Sequence, residues 1–454
     1  MISLLTLINI VFFSGLSLFF LVLSLSSFFE KEIRAAWISL GFLTINGLFW
    51  GFFILTPGFA IGFNLLVFSG ITLFGLISLV GFFPKEKLPI DLSRAIQYDE
   101  RDNMFSRNNI QHHPELMDIY YKQHPENLSL DQQIHNKPDF GDKKQVFHDE
   151  YTTPCYLAAF EYLEQTIPLS DGMIAPEKKQ VDTKKMVAAL SDMICFYGGC
   201  DVGFIPLKPH HYYSHRGRHA ESWGDKTDQT HKTAIVIVVP MRVPMLKQGP
   251  TSSVIQESAQ KYVEAAKISN IAAAYIRQFG FRARAHNDAN YETLCVPLAV
   301  ESGLGELGRM GLFMHKTHGP CVRLAIVTTD MEFPASIPGP SLHMENFCRI
   351  CKKCADNCPS SSITHGDEPK SRNFRHWSID QEKCFSYWKT IGSDCGMCIS
   401  VCPYTKPDTL IHKWVRFYIS RNPLNQRIAL FMDDLLYGRI KKIPRKNPDK
   451  LFYL

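Results

Sequence analysis

Three long apolar runs open the chain, over residues 2–29, 36–59 and 61–83. Each is long enough to cross the roughly 30 Å hydrocarbon core as a helix. Their apolar residues fall on every face, a pattern suited to lipid all round. A cleaved signal peptide would be one short run with a basic start, so three runs predict a membrane anchor over residues 1–84 with three transmembrane helices. Lys31 and Arg34 separate the first two runs, and Lys85, Lys87 and Arg94 follow the third. The amino terminus and residues 56–64 carry neither Lys nor Arg. Positive loops face inward, so the expected arrangement is a multi-pass protein of the inner cell membrane with its large remaining domain in the cytoplasm.

After residue 84 the pattern changes. Residues 85–165 are polar and irregular, yet Tyr98, Phe105, Tyr120, Tyr121, Phe140 and Phe147 recur through them. That predicts a segment wrapped over a core. Residues 166–340 alternate helical and strand-like periods: an amphipathic helix over 184–198, a buried strand over 234–239 and a long helix over 256–278 closed by Gly280. Further strands are expected over 281–285 and 324–329. The fold class is α/β or α+β. Residues 341–410 form a cysteine-rich domain, and residues 411–454 a basic, amphipathic tail suited to a membrane surface or to solvent.

A length of 454 residues allows two or three domains, and the net charge of +5 is modest. No basic tract interleaves with aromatics, so no nucleic-acid partner is expected. The cysteines change the picture more. Cys348, Cys351, Cys354 and Cys358 stand at the bacterial ferredoxin spacing, with Pro359 next; Cys384, Cys395, Cys398 and Cys402 follow, closed by Pro403. Thiolates suit iron–sulfur clusters, and the cysteine before each proline reaches across to the other cluster. One 4Fe–4S cluster is therefore assigned to Cys348, Cys351, Cys354 and Cys402, the other to Cys384, Cys395, Cys398 and Cys358. The long gap after Cys384 predicts an outward-bulging loop over 385–394. Zinc sites and disulfide frameworks have other spacings. Cys155, Cys195, Cys200, Cys295 and Cys321 read as free thiols.

Residues 97–107 (QYDERDNMFSR), 120–126 (YYKQHPE), 213–218 (YSHRGR), 274–285 (AYIRQFGFRARA), 302–309 (SGLGELGR) and both cysteine sets occur in an order that resembles the corrinoid-dependent reductive dehalogenases, from about residue 92 to 407. The epoxyqueuosine reductases are less similar, lacking the YDERD-type segment and the membrane spans. The chain departs from exported members of the family in having no twin-arginine signal. Its apolar start resembles the small separate anchor that partners them, here fused to the catalytic part.

The resemblance implies a nitroreductase-like core and a cobalamin bound base-off, with no protein ligand below the cobalt. It also implies an organohalide substrate and an electron donor such as a ferredoxin, a flavodoxin or a quinol-linked reductase. The family uses a tyrosine as proton donor, tuned by a cationic side chain. Tyr213 is the expected donor, with Tyr212 its rival, and Arg277, Arg282 or Arg284 the expected cation, Arg282 being favoured. Gly303, Gly305 and Gly308 would admit the corrinoid tail or form an ordinary turn. His210, His211, His215, His286 and His315 are expected to be structural. Two other readings stand beside dehalogenation: an epoxyqueuosine reductase-like enzyme and a non-catalytic electron-transfer subunit. The long α/β segment before the cysteines disfavours the second.

Overall fold

The computed structural model describes residues 2–55, most of 69–80, 97–337, 343–367, 370–371, 374–375 and 377–448. Two units divide these: residues 1–87 with 408–441, and residues 88–407 with 442–454.

In the first unit, α1 (Ile2–Phe29) and α2 (Ile33–Leu55) form an antiparallel hairpin turned at Lys31, which adopts a left-handed conformation. Asn46 donates to the Phe13 carbonyl (3.3 Å) and to Ser17 Oγ (2.7 Å), and Phe13 stacks on Trp50 at 4.7 Å. Leu18, Leu25, Trp37 and Leu48 point outward. Among the described residues two helices, not three, are long and apolar enough to cross a membrane. The third expected run falls largely outside the described residues, although 75–79 are helical.

The second unit begins where disorder would be the plainest reading of a polar sequence, and it is mostly helical: α3 (Met104–Asn109), α4 (Pro114–Gln123), α5 (Pro125–His135) and α6 (Thr153–Thr166). Proline in the first turn of α4, α5 and α6 pre-sets the helical φ where no amide donor is needed. Polar pairing replaces a large apolar face. Buried Arg107 binds Asp131 (2.6 Å) and Glu382 (2.6 Å), and the Tyr121 hydroxyl donates to Asp131 (2.9 Å). Each partner is satisfied, so the polar segment can lie inside.

The core follows, with α7 (Thr183–Phe196), β1 (Asp201–Pro206), β2 (Thr233–Pro240), α8 (Ser252–Arg277), β3 (Ala283–His286), α9 (Cys295–Glu301), β4 (Gly305–Leu307), β5 (Phe313–His315) and β6 (Val322–Thr329). The main sheet runs β1-β2-β6-β3, and every pairing is antiparallel. Ile235, Ile237 and Val239 pack toward α7 and α8, while Ala234, Val236 and Val238 pack against Leu298, Ala299 and Phe313. With both faces covered, β2 reads as one unbroken apolar run.

The cysteine-rich part holds α10 (Met344–Cys351) and α11 (Gln381–Ile391). Residues 385–394 are therefore not a bulging loop. The helix begins before Cys384 and buries Phe385, Lys389 and Ile391, with Lys389 Nζ paired to Asp139 at 3.0 Å. Apolar side chains near helical spacing hold this stretch inward. The expected single tail after residue 410 comprises α12 (Leu410–Ile419) and α13 (Pro423–Tyr437), which fall in the first unit. Residues 442–454 belong to the second.

Candidate active site and cluster cysteines

The cysteines fall into two groups. Cys402 is pushed well above the ordinary thiol range by burial and by its neighbours Cys348, Cys351 and Cys354. Burial also raises Cys395, whose sulfur neighbours are Cys384 and Cys358. Cys398 is raised by burial and by Cys395, Cys354, Cys384 and Cys358. A space of about 100 Å³ is lined by Cys358, Cys384, Cys395 and Cys398. Cys402 thus lies near Cys348, Cys351 and Cys354, and Cys358 near Cys395 and Cys398, with Cys354 also close to Cys398; soft donors gathered in this way suit iron–sulfur clusters. Cys395 and Gly396 are both left-handed, which places the chain turn at the thiolates themselves.

Sequence reasoning missed the residue that secures the first loop. Arg309, buried, donates to the carbonyls of Cys348 (3.0 Å), Thr364 (2.8 Å) and Gly366 (2.7 Å), with its guanidinium 4.7 Å from the Trp377 ring. An arginine following a glycine-rich stretch gave no cue to this role.

Those glycines serve local packing. A Cβ at Gly305 would strike the Met314 carbonyl, and one at Gly308 would lie 2.9 Å from the Met314 side chain. Close approach of β4 to β5 accounts for both, and Gly303, with φ +76°, turns the chain after α9.

The expected arginines gather elsewhere than at the expected tyrosine. Arg277, Arg282 and Arg284 line one pocket together with Asp171, Asp228 and Glu292. Arg277 donates to the carbonyls of Ser170 (3.2 Å) and Ala283 (2.8 Å). Arg282 is half-exposed near Asp330 (3.6 Å), and Arg284 pairs with Asp171 (2.5 Å) and Glu292 (3.4 Å). Tyr213 has a different environment: burial and Glu100 raise its phenol, with Tyr98 and Cys295 beside it. Tyr212 is buried with its hydroxyl unpartnered. Each arginine is held by carboxylates or carbonyls of its own, and no hydrogen bond joins any of them to Tyr213 among the described residues.

Another tyrosine has the guanidinium. Arg323 lies deep in the unit with Tyr262, Asp394, Tyr291 and Asp288 as its phenolic and carboxylate neighbours. Tyr262 comes from α8 and Arg323 from β6, and the Arg323 guanidinium lies 4.7 Å from the Tyr262 ring centre. Arg323 Nη2 donates to Ser258 Oγ (2.5 Å) and to Asp394 (3.3 Å). Burial raises the Tyr262 phenol; Arg323 and Arg218 oppose it, Asp288 and Asp394 add to it. Arg323, Ser258 and Asp394 also line the space beside the second cysteine group. Asp288 accepts no hydrogen bond among the described residues, and Arg323 Nε is buried without a partner.

Residues 347–406 match the family model for a 4Fe-4S dicluster domain. A tetrachloroethene reductive dehalogenase of Desulfitobacterium hafniense is 34% identical over 215 residues, 45% of this chain and 38% of that protein. Its counterpart from Sulfurospirillum multivorans is 33% identical over 222 residues, 47% and 44% of the two chains. Over these stretches the chain is similar to the reductive dehalogenases. It spans less than half the length of these curated relatives. An epoxyqueuosine reductase of Atelocyanobacterium thalassa is more distant, at 27% over 115 residues, covering 24% of this chain and 36% of that one. The solved catabolic reductive dehalogenase NpRdhA, in complex with 3-bromo-4-hydroxybenzoic acid, shares the fold: TM-score 0.63, 21% identity, covering 79% of this chain and 49% of that one.

Proposed function

We propose that this chain is a membrane-anchored, corrinoid-dependent reductive dehalogenase that converts R–X, two electrons and a proton into R–H and halide. The observation that carries the reading is the Tyr262–Arg323 pair, whose Arg323 also lines the space beside the second cysteine group. Cys348, Cys351, Cys354 and Cys402 would hold one 4Fe–4S cluster, and Cys358, Cys384, Cys395 and Cys398 the other, supplying one-electron transfer from an external low-potential donor. A corrinoid would lie beside Arg323, whose buried Nε has no hydrogen-bond partner among the described residues. When bound it supplies a strongly reducing cobalt for carbon–halogen cleavage.

The protein's own part is proton supply and exclusion of water. Tyr262, its phenol raised by burial, keeps its proton at neutral pH. Arg323 and Arg218 favour the phenolate left when that proton moves to the carbon losing halide. Tyr291 neighbours the same Arg323. The apolar α1–α2 hairpin would anchor the chain, with the catalytic part on the cytoplasmic side.

The test is metal content and turnover of the anaerobically purified full chain. About eight irons and one cobalt are expected on a two-cluster reading. Halide release should be measured with a reduced artificial donor on tetrachloroethene and 3-bromo-4-hydroxybenzoate, the compounds in the relatives' names. Iron without cobalt, and no halide from either compound, would leave only an electron-transfer role.

A further inference from the structure

The end of the chain packs on the anchor. Leu436 is buried with Leu23 and Ala35, joined by Phe19, Ile38, Ile411 and Met432. His412 Nε2 pairs with Glu30 at 3.1 Å, in the turn between α1 and α2. The link between α12 and α13 does something more specific. Asn422 Nδ2 donates to the carbonyls of Ile77 (2.9 Å) and Val80 (3.3 Å). Asn425 Nδ2 donates to that of Ser78 (2.9 Å), and Arg421 Nη2 to that of Leu79 (2.9 Å). The last four carbonyls of a helix have no partner within it. Here three side chains of one turn satisfy four carbonyls at the end of the helical residues 75–79.

The opposite faces of α12 and α13 are apolar and uncovered. Leu410 is 85% exposed, Phe431 67%, Trp414 53% and Phe417 51%. They continue the outward apolar surface of α1, where Leu18, Leu25 and Phe29 are exposed as well. The Trp414 ring lies 5.9 Å from that of Phe19, ten residues before the end of α1. Ten helical residues span about 15 Å, so α12, which meets Glu30 through His412 and Phe19 through Trp414, reaches from the turn to the level of the α1 apolar run. Several cations nearby are engaged within the unit. Lys413 and Arg416 pair with Asp408, and Arg439 with Asp434. Arg427 is exposed beside Leu424 and Phe431, so the surface offers large apolar side chains with a cation among them.

We propose that α12 and α13 are an interfacial helix pair, inserted by their exposed aromatic and aliphatic side chains into the membrane boundary and clamped onto the anchor by Arg421, Asn422 and Asn425. The occupant of the exposed face is phospholipid. Aromatic side chains favour this boundary, where one edge meets acyl chains and the other water. The proposal rests on the membrane reading of α1 and α2.

The test uses the full chain reconstituted in vesicles of zwitterionic phosphatidylcholine doped with a photoactivatable phospholipid, followed by peptide mapping of the labelled lipid adducts. The expected result is label on α1 and α2 and also on peptides carrying Trp414, Phe417 and Phe431, undiminished at high salt. Leu410→Glu with Phe431→Glu should remove much of the label from α12 and α13 and leave that on α1 and α2. Label confined to α1 and α2 in the unsubstituted protein overturns the interfacial pair alone. No label anywhere overturns the membrane reading, and this proposal with it.

Discussion

At the scale of single residues, the chemistry turns on which tyrosine meets which cation. Tyr262 lies against Arg323, and burial holds its phenol above the ordinary value while two guanidiniums pull the other way. Tyr262→Phe should lower dehalogenation by about 10²–10⁴-fold, the usual worth of a general acid, with iron and cobalt content retained. Tyr213→Phe is the paired control: a larger loss there than at Tyr262 would return the role to the residue expected from the sequence. Arg323→Gln removes a charge that favours phenolate, so the phenol pKa rises further. The acid form then persists to higher pH, and the alkaline limb of the pH–rate profile should move upward while the maximal rate falls. Arg323→Lys keeps the charge and loses the planar stack, and should fall between the two. An alkaline limb unmoved in Arg323→Gln would mean that the phenol is not the titrating acid.

Among elements, the decisive arrangement is the crossing of the cysteine sets. Cys402 follows the short helix Met397–Ser400, yet its sulfur neighbours are those of α10 and the turn after it. Cys358 ends that first group and faces Cys384, Cys395 and Cys398. Cys402→Ala should therefore disrupt the cluster of Cys348, Cys351 and Cys354, and Cys358→Ala the other, resolved by electron paramagnetic resonance of the reduced protein. Loss in Cys402→Ala of the cluster held by Cys395 and Cys398, with the other intact, would show that the sets do not cross. The expectation of crossing could be drawn from the sequence because the ferredoxin spacing is local and its crossing rule general. The α11 helix was not, since a ten-residue gap between ligands says nothing about whether the chain bulges or coils inward. Buried Lys389, paired with Asp139 far away in sequence, is what the spacing could not show.

For the whole molecule, the proposed anchor implies an orientation that a fusion can test. The His412–Glu30 pair and the capping of the carbonyls at Ile77 to Val80 bring the ends of two apolar stretches to one place within the first unit. Lys31 and Arg34 lie at that place, and cytoplasmic loops carry such residues. A reporter fused after Leu454 should be active as a cytoplasmic marker, with an exported-only reporter silent. Activity of the exported reporter would reverse the orientation.

The sequence by itself determined what depends on neighbours along the chain. It defined the first two apolar helices, the buried run that became β2, the long helix α8, and eight cysteines whose spacing names their chemistry. Tertiary structure decided what depends on convergence. The polar segment after residue 97 folded because Arg107, Asp131 and Glu382 could satisfy one another inside, a compensation invisible to periodicity. Arg282 and Arg284, close to one another in sequence, were drawn to carboxylates, while Tyr213 meets Asn103 and Tyr98. Arg323 reached Tyr262 because antiparallel pairing sets β6 in the middle of the sheet, beside α8. Side-chain chemistry can be read from a sequence; which charge meets which ring is settled by packing, where distance through space replaces distance along the chain.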